Sequence, residues 1–177
     1  QSLFKIYPDF DITIFEILYR NPNINIVFID ALDKKEKMYE RWDNKMDKKY
    51  YGILSRVKFI GKLSHKDFCN LIGLSDIMID PFPFGGCNTS FEAFSLDIPV
   101  VTQPANIING RFTHGFYKKM GFLDCIANTQ EEYINITSKL INNNEFLNSC
   151  KEKINKNKHK LFNDQETLNE WEELMSK

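Results

Sequence analysis

One stretch gathers the residues best suited to chemistry. Asp80-Pro-Phe-Pro-Phe-Gly-Gly86 is a rigid turn followed by a flexible one, and Asn88 or Thr89 starts a helix. Glycines let a backbone approach a ligand closely. A helix start presents unpaired N–H groups and the positive end of a dipole. Gly86, Cys87, Asn88 and Thr89 would together form an anion site suited to a phosphate or diphosphate. An ordinary tight turn before a capped helix reads the same residues equally well. Glu92 has two competing roles. Thr89-Ser-Phe-Glu92 has the form of a capping box, in which Glu92 folds back on the Thr89 N–H. Alternatively Glu92 accepts hydrogen bonds from ribose hydroxyls, as an acidic residue does in dinucleotide folds. Spacing favours the cap.

Other candidates are weaker one by one. Phe68 lies in the first turn of a helix, where it could stack on a base or pack with Leu71 and Ile72. Lys5 and Arg111 read singly as solvated cations. His65 falls at an exposed helix start, and His114 has no Ser or Cys partner at useful spacing, so no hydrolase triad emerges. Neither G-x-x-x-x-G-K-[ST] nor G-x-G-x-x-G occurs, which disfavours a P-loop kinase and a dehydrogenase. Cys69, Cys87, Cys125 and Cys150 form no C-x-x-C, and the three histidines are scattered. The pattern argues against zinc and against a disulfide scaffold, and for free thiols in a reducing, cytoplasmic setting. Asn88-Thr-Ser and Asn135-Ile-Thr match glycosylation sequons, as chance does in an Asn-rich chain.

The elements around these residues alternate. Pro8 and Asp9 open a helix with Ile12, Phe15, Leu18 and Tyr19 at helical spacing, stopped by Asn21-Pro22. Residues 25–30 read as a strand. Residues 33–50 read as a charged helix striped by Met38, Trp42 and Met46. Val57–Ile60 is a second strand, and Ser64-His-Lys-Asp67 opens a helix to Gly73. Residues 77–79 and 100–102 are further strands. Helices follow over 110–120, 130–142, 144–160 and 163–176, with a short apolar piece at Cys125-Ile126. Asn163 and Glu166 have capping-box spacing. Apolar strands alternating with helices predict an α/β fold, a Rossmann-like parallel sheet flanked by helices, with ligands at the carboxyl ends of the strands.

Composition sets limits. The 177 residues carry 23 basic and 24 acidic side chains, 42% hydrophobic residues and 14% aromatics. One domain of this size buries roughly 70% of its unfolded surface. The near-neutral charge disfavours a general nucleic-acid binder, and no apolar run approaches the ~20 residues of a membrane span. The chain opens on Gln1 with no leader before it, which suggests a piece of a longer protein.

Three segments together carry a resemblance. Residues 80–102, the opening Gln1-Ser-Leu-Phe-Lys-Ile-Tyr-Pro-Asp-Phe-Asp11 and Gly110-Arg-Phe-Thr-His-Gly-Phe-Tyr-Lys-Lys-Met-Gly121 resemble the O-linked N-acetylglucosamine transferase and SPINDLY-like glycosyltransferases. The likeness runs in order along nearly the whole chain and is weakest over residues 33–50. It implies the carboxyl-terminal, donor-binding half of a GT-B glycosyltransferase, formed by residues 1–177, with an amino-terminal half elsewhere. It further implies that Lys5 holds the donor diphosphate and stabilises the leaving group, and that Asn88 and Thr89 grip the diphosphate beside Gly86 and Cys87. Glu92 would take the ribose, Phe68 would stack on the base, Leu63 would lie where backbone reads the base edge, and Arg111 would join the donor site. Cys87-Asn88-Thr89 stands where animal members carry His before Thr-Thr, and Ser2 stands where they carry Gln.

A UDP-sugar, with N-acetylglucosamine or a related hexose, is the expected donor, and a GDP-sugar stays open. The expected acceptor is a protein Ser/Thr, with no metal or other cofactor, and the general base would lie outside the chain. Two alternatives stand beside this: a non-catalytic nucleotide-sugar or protein-binding module, and a nucleotide-sugar epimerase of the same fold. The last helix would cross to the missing half, so Leu168, Trp171, Leu174 and Met175 should form an exposed apolar patch.

Overall fold

The computed structural model describes residues 3–162 and 164–176. Ser2 and Asn163 therefore lie outside the described residues. Eight α-helices alternate with four short strands: α1 (Pro8–Arg20), β1 (Ile26–Ile29), α2 (Lys35–Asp43), β2 (Val57–Ile60), α3 (His65–Gly73), β3 (Met78–Ile79), α4 (Asn88–Ser95), β4 (Val100–Val101), α5 (Phe112–Met120), α6 (Gln130–Asn142), α7 (Asn144–Asn157) and α8 (Gln165–Met175). All pairings are parallel. β1 pairs with β2, Ile26 opposite Val57, and β3 pairs with β4, Met78 opposite Val100. Thr102 adds a parallel bridge to Ile126. The strands fall into two two-stranded sheets rather than one continuous sheet.

Local chemistry accounts for most boundaries. Pro8 occupies the first turn of α1, where a missing N–H costs nothing. Ser64 caps α3 by accepting from the Asp67 N–H, as the sequence predicts. Thr129 and Asn143 cap α6 and α7 in the same way. Asp164 caps α8, accepting from the Thr167 N–H. Where the structure departs from the periodicity, a local competitor explains it. The charged helix expected over residues 33–50 ends at Asp43, and Asp47 caps a separate 3-10 turn at Lys48–Tyr50. The helix expected from Gly110 starts at Phe112, because Ile108–Gly110 closes its own 3-10 turn. In α1 the buried face is Phe10, Ile14, Phe15, Ile17 and Leu18, whereas Ile12 and Tyr19 are exposed.

The core is aromatic-rich. Phe10, Phe15, Trp42, Phe94, Tyr117 and Tyr133 are fully buried. Phe15 meets Trp42 edge-on at 5.6 Å, and Phe94 meets Tyr117 at 4.9 Å. Helix α1 packs along α6, and Arg20 ties the two at the surface through Glu131 at 2.7 Å. Among the described residues, no helix is long and apolar enough to cross a membrane. All four cysteines are free thiols. Helix α8 buries no residue. Leu168, Trp171, Leu174 and Met175 are 53–81% exposed, which gives the apolar patch the sequence predicts.

One buried charge fastens α1 to α2. Asp11 is fully buried, accepting from Arg41 Nε at 2.9 Å, Arg41 Nη2 at 2.7 Å and Trp42 Nε1 at 2.8 Å. Removing one partner leaves the others desolvated and unpaired. Asp11→Ala is expected to cost about 3 kcal/mol in urea unfolding, near the low end for a buried pair because Arg41 is partly exposed. A cost below about 1 kcal/mol would mean that water already satisfies these groups.

Candidate functional site

The loop after β3 is held from below by Asp80. Its carboxylate is buried and accepts from the Gly86 N–H, from Thr102 Oγ1 at 3.0 Å and from Thr113 Oγ1 at 2.8 Å. Thr113 in turn meets Ser90 of α4 at 2.8 Å. Tyr133, buried in α6, donates to the Asp80 carbonyl at 3.0 Å and to that of Val101 at 2.9 Å. Two glycines make room for this packing. A Cβ on Gly85 would meet Asp80 Oδ2 at 2.8 Å, and one on Gly110 would meet the Pro83 carbonyl at 2.2 Å. Asp80 was read from the sequence only as part of a rigid turn. Its partners stand 6, 22 and 33 residues away, beyond the reach of local patterns.

Helix α4 begins at Asn88, one of the two starts the sequence offers and two residues earlier than a Thr89 cap would place it. Cys87 is its N-cap and makes no side-chain cap bond. Thr89 is therefore the second helical residue, not the cap. The Glu92 carboxylate lies 2.8 Å from His65 Nε2, across on α3. The N-terminus of α4 thus points into the loop with its dipole uncapped by Cys87.

Lys5 comes to the same place from the other end of the chain. Its Nζ donates to the Gly85 carbonyl at 3.1 Å and lies 4.6 Å from the Phe84 ring centroid. An ammonium has three donors, and among the described residues one is used, by Gly85. Lys5, Gly86, Cys87, Asn88, Thr89 and Glu92 therefore surround one loop and the helix it starts. The remaining candidates sit nearby with other occupations. Leu63 is half-buried, in the turn between β2 and α3. Phe68 is half-buried against the hydrophobic core, the packing role weighed from the sequence. Arg111 donates to the Ala105 carbonyl at 3.1 Å, bracing the loop before α5. His114 is half-buried; burial, then Lys118 and Arg111, lower its pKa.

Two features escaped the sequence. His65, Cys69 and Glu92 place their ligand atoms within 4.8 Å of one another, a set able to hold a divalent ion. The i,i+4 spacing of His65 and Cys69 was a visible signal; Glu92, on a different helix, was not. Gln103 follows β4 at the same carboxyl edge and keeps a buried Oε1 with no protein partner among the described residues.

Burial raises the Asp80 carboxyl from 3.8 to about 6, against the lowering effect of the Gly86 N–H, Thr113, Thr102 and Lys5. The sign follows directly. The folded protein holds this proton more tightly than the unfolded chain, so Asp80 contributes stability at low pH and loses it as pH rises from about 4 through about 6. The cost of ionising it is on the order of 3 kcal/mol. Unfolding of the parent and of Asp80→Asn across this range should show the parent losing ground relative to the variant, then levelling above pH 6. A constant difference would show that the carboxylate is fully compensated by its donors.

Comparison with known proteins gives the family and the fold. The profile of glycosyl transferase family 41 matches residues 1–170. A UDP-glucose:protein N-beta-glucosyltransferase of Actinobacillus pleuropneumoniae is 26% identical over 82 residues, which are 46% of this chain and 13% of that protein. A probable UDP-N-acetylglucosamine--peptide N-acetylglucosaminyltransferase SPINDLY of Hordeum vulgare is 28% identical over 78 residues, covering 44% and 8%. A mutant O-GlcNAc transferase of Thermobaculum terrenum superposes with a TM-score of 0.78 at 22% identity, over 91% of this chain and 31% of that one. That likeness establishes the fold, one α/β half of a GT-B architecture. The chain spans a third or less of each of these proteins. The family match covers nearly all of its length: the chain belongs to glycosyl transferase family 41.

Proposed function

We propose that this chain is the donor-nucleotide half of an inverting glycosyltransferase that moves a sugar from a UDP-sugar to a protein Ser/Thr. The observation that carries the reading is the convergence of Lys5 with the N-terminus of α4 across the Gly85 carbonyl. Sugar transfer from a nucleotide diphosphate leaves new negative charge on the diphosphate. The Lys5 ammonium and the first-turn N–H groups of α4 would neutralise it with dipoles and charge already in place. No metal is required for that step. Asn88 and Thr89 would fix the diphosphate, and Glu92 would take the ribose hydroxyls by exchanging His65 for them. Phe68 would flank the base, and the backbone near Leu63 would read its edge.

Relatives support the classes of donor and acceptor: one is named for transfer from UDP-glucose to protein, another for transfer from UDP-N-acetylglucosamine to peptide. N-Acetylglucosamine or a related hexose is the proposed sugar. The general base and most of the acceptor site would come from the other half of a longer protein. The exposed Leu168, Trp171, Leu174 and Met175 of α8 would pack against that half.

Thermal unfolding of the intact protein with a nucleotide panel tests the reading. UDP at 100 times its dissociation constant should add about 2.7 kcal/mol of stability. The gain should be equal with and without EDTA, and lost in Lys5→Ala and Glu92→Ala. Stabilisation by GDP alone would move the donor to a GDP-sugar. No stabilisation by any nucleotide, or stabilisation unchanged in both variants, would overturn the donor-site assignment.

A further inference from the structure

Helices α3 and α4 pack side by side and bring three types of metal ligand to one point. His65 opens α3, and Cys69 stands one turn later on the same face. Glu92 reaches them from α4, 27 residues beyond His65 in the sequence. His65 Nε2 lies 2.8 Å from Glu92 Oε1 and 3.7 Å from Cys69 Sγ. All three ligand atoms fall within 4.8 Å of one another.

A surface ion pair accounts for only part of this arrangement. An exposed His–Glu contact contributes about 0–1 kcal/mol and needs no third group. The Cys69 thiol adds little to such a pair, but it completes a ligand set. Zinc holds nitrogen and oxygen at about 2.0–2.1 Å and sulfur at about 2.3 Å, so its tetrahedral ligands stand roughly 3.3–3.6 Å apart. The His65–Cys69 separation is already close to that spacing. Glu92 has to swing by about 1 Å, which torsions of its long side chain supply. Ser64 caps α3 and so fixes the turn that carries His65 and Cys69.

We propose that His65, Cys69 and Glu92 bind one zinc ion between α3 and α4. A thiolate ligand selects zinc over magnesium or calcium, which prefer oxygen alone. Binding sends the Cys69 thiol proton to solvent. The thiolate and the Glu92 carboxylate then balance the two positive charges, and neutral His65 supplies the third bond. The His65 side chain is 77% exposed, so water can take the fourth position. The ion site stands on geometry alone. Its consequence for the donor rests on the reading of Glu92 as the ribose ligand. An ion that holds Glu92 keeps it from the ribose, so zinc and UDP exclude each other. Zinc at this place is a brake on donor binding, not a cofactor of transfer.

Cobalt(II) is the spectroscopic probe for a thiolate-bound zinc site. The metal-free intact protein should take up one cobalt ion with a thiolate-to-metal absorption band, and added zinc should displace it. Cys69→Ser should abolish the band. Zinc affinity should fall at least about 100-fold in Cys69→Ser and in His65→Ala, since even the outer partners of a ligand are worth 10–100-fold. Melting temperatures in EDTA equal to that of the parent show both variants folded. A cobalt spectrum without the band, or zinc binding unchanged in both variants, overturns the site. UDP affinity should be at least about 10-fold weaker with zinc bound than in EDTA, and the same under both conditions in Cys69→Ser. Equal UDP affinity in the parent overturns the exclusion. UDP that fails to bind the zinc-free protein removes the donor reading and the exclusion with it, while the cobalt spectrum still decides the ion site.

Discussion

The Asp80 carboxylate is the constraint on which the site depends. A carboxylate removed from water must be surrounded by donors. Here the donors come from the loop that follows it, from the end of β4 and from α5. Satisfying them fixes the Gly86 amide at the start of α4 and draws α5 against α4 through Thr113 and Ser90. Gly85 lies so close to the carboxylate that no larger residue fits without displacement. Lys5 reaches the same loop through the Gly85 carbonyl, three residues before α4 begins. A single buried acid thus fixes the loop from within, and the proposed leaving-group stabilisation would require such rigidity.

How legible this was depends on distance along the chain. Ser64 with Asp67 and Pro8 in its first turn are local signals, and the helices they start lie close to where the pattern places them. Thr89 with Glu92 is the same pattern, yet the cap position falls on Cys87 and Glu92 meets a long-range partner, His65, that no local pattern signals. The apolar stripe through Met38 and Trp42 reads correctly as far as Asp43, after which Asp47 starts a new turn. The Asp80 partners and the His65–Cys69–Glu92 group join separate elements, and only the fold assembles them. Lys5 shows the opposite case. Alone it reads as one more solvated cation, and the family resemblance singled it out before geometry placed it on the loop.

The molecule also carries signs of a larger context. The sheet is split between β1 and β3, and α8 exposes a ridge of large apolar side chains. Glycosyl transferase family 41 relatives and the superposed transferase are several times longer than the matched segments. The exposed ridge of α8 is what further polypeptide would cover under the proposed reading. The Asp80 clamp holds its loop through contacts made within the chain itself.

The most direct test of the central claim is amide chemical-shift mapping during a UDP titration. If Lys5 and the α4 N-terminus form the diphosphate seat, the largest changes fall on Gly86, Asn88 and Thr89, and the Lys5 side-chain signal moves with them. Binding that leaves residues 86–89 unchanged, with its largest shifts around Lys119 and Asp164 instead, would contradict the account.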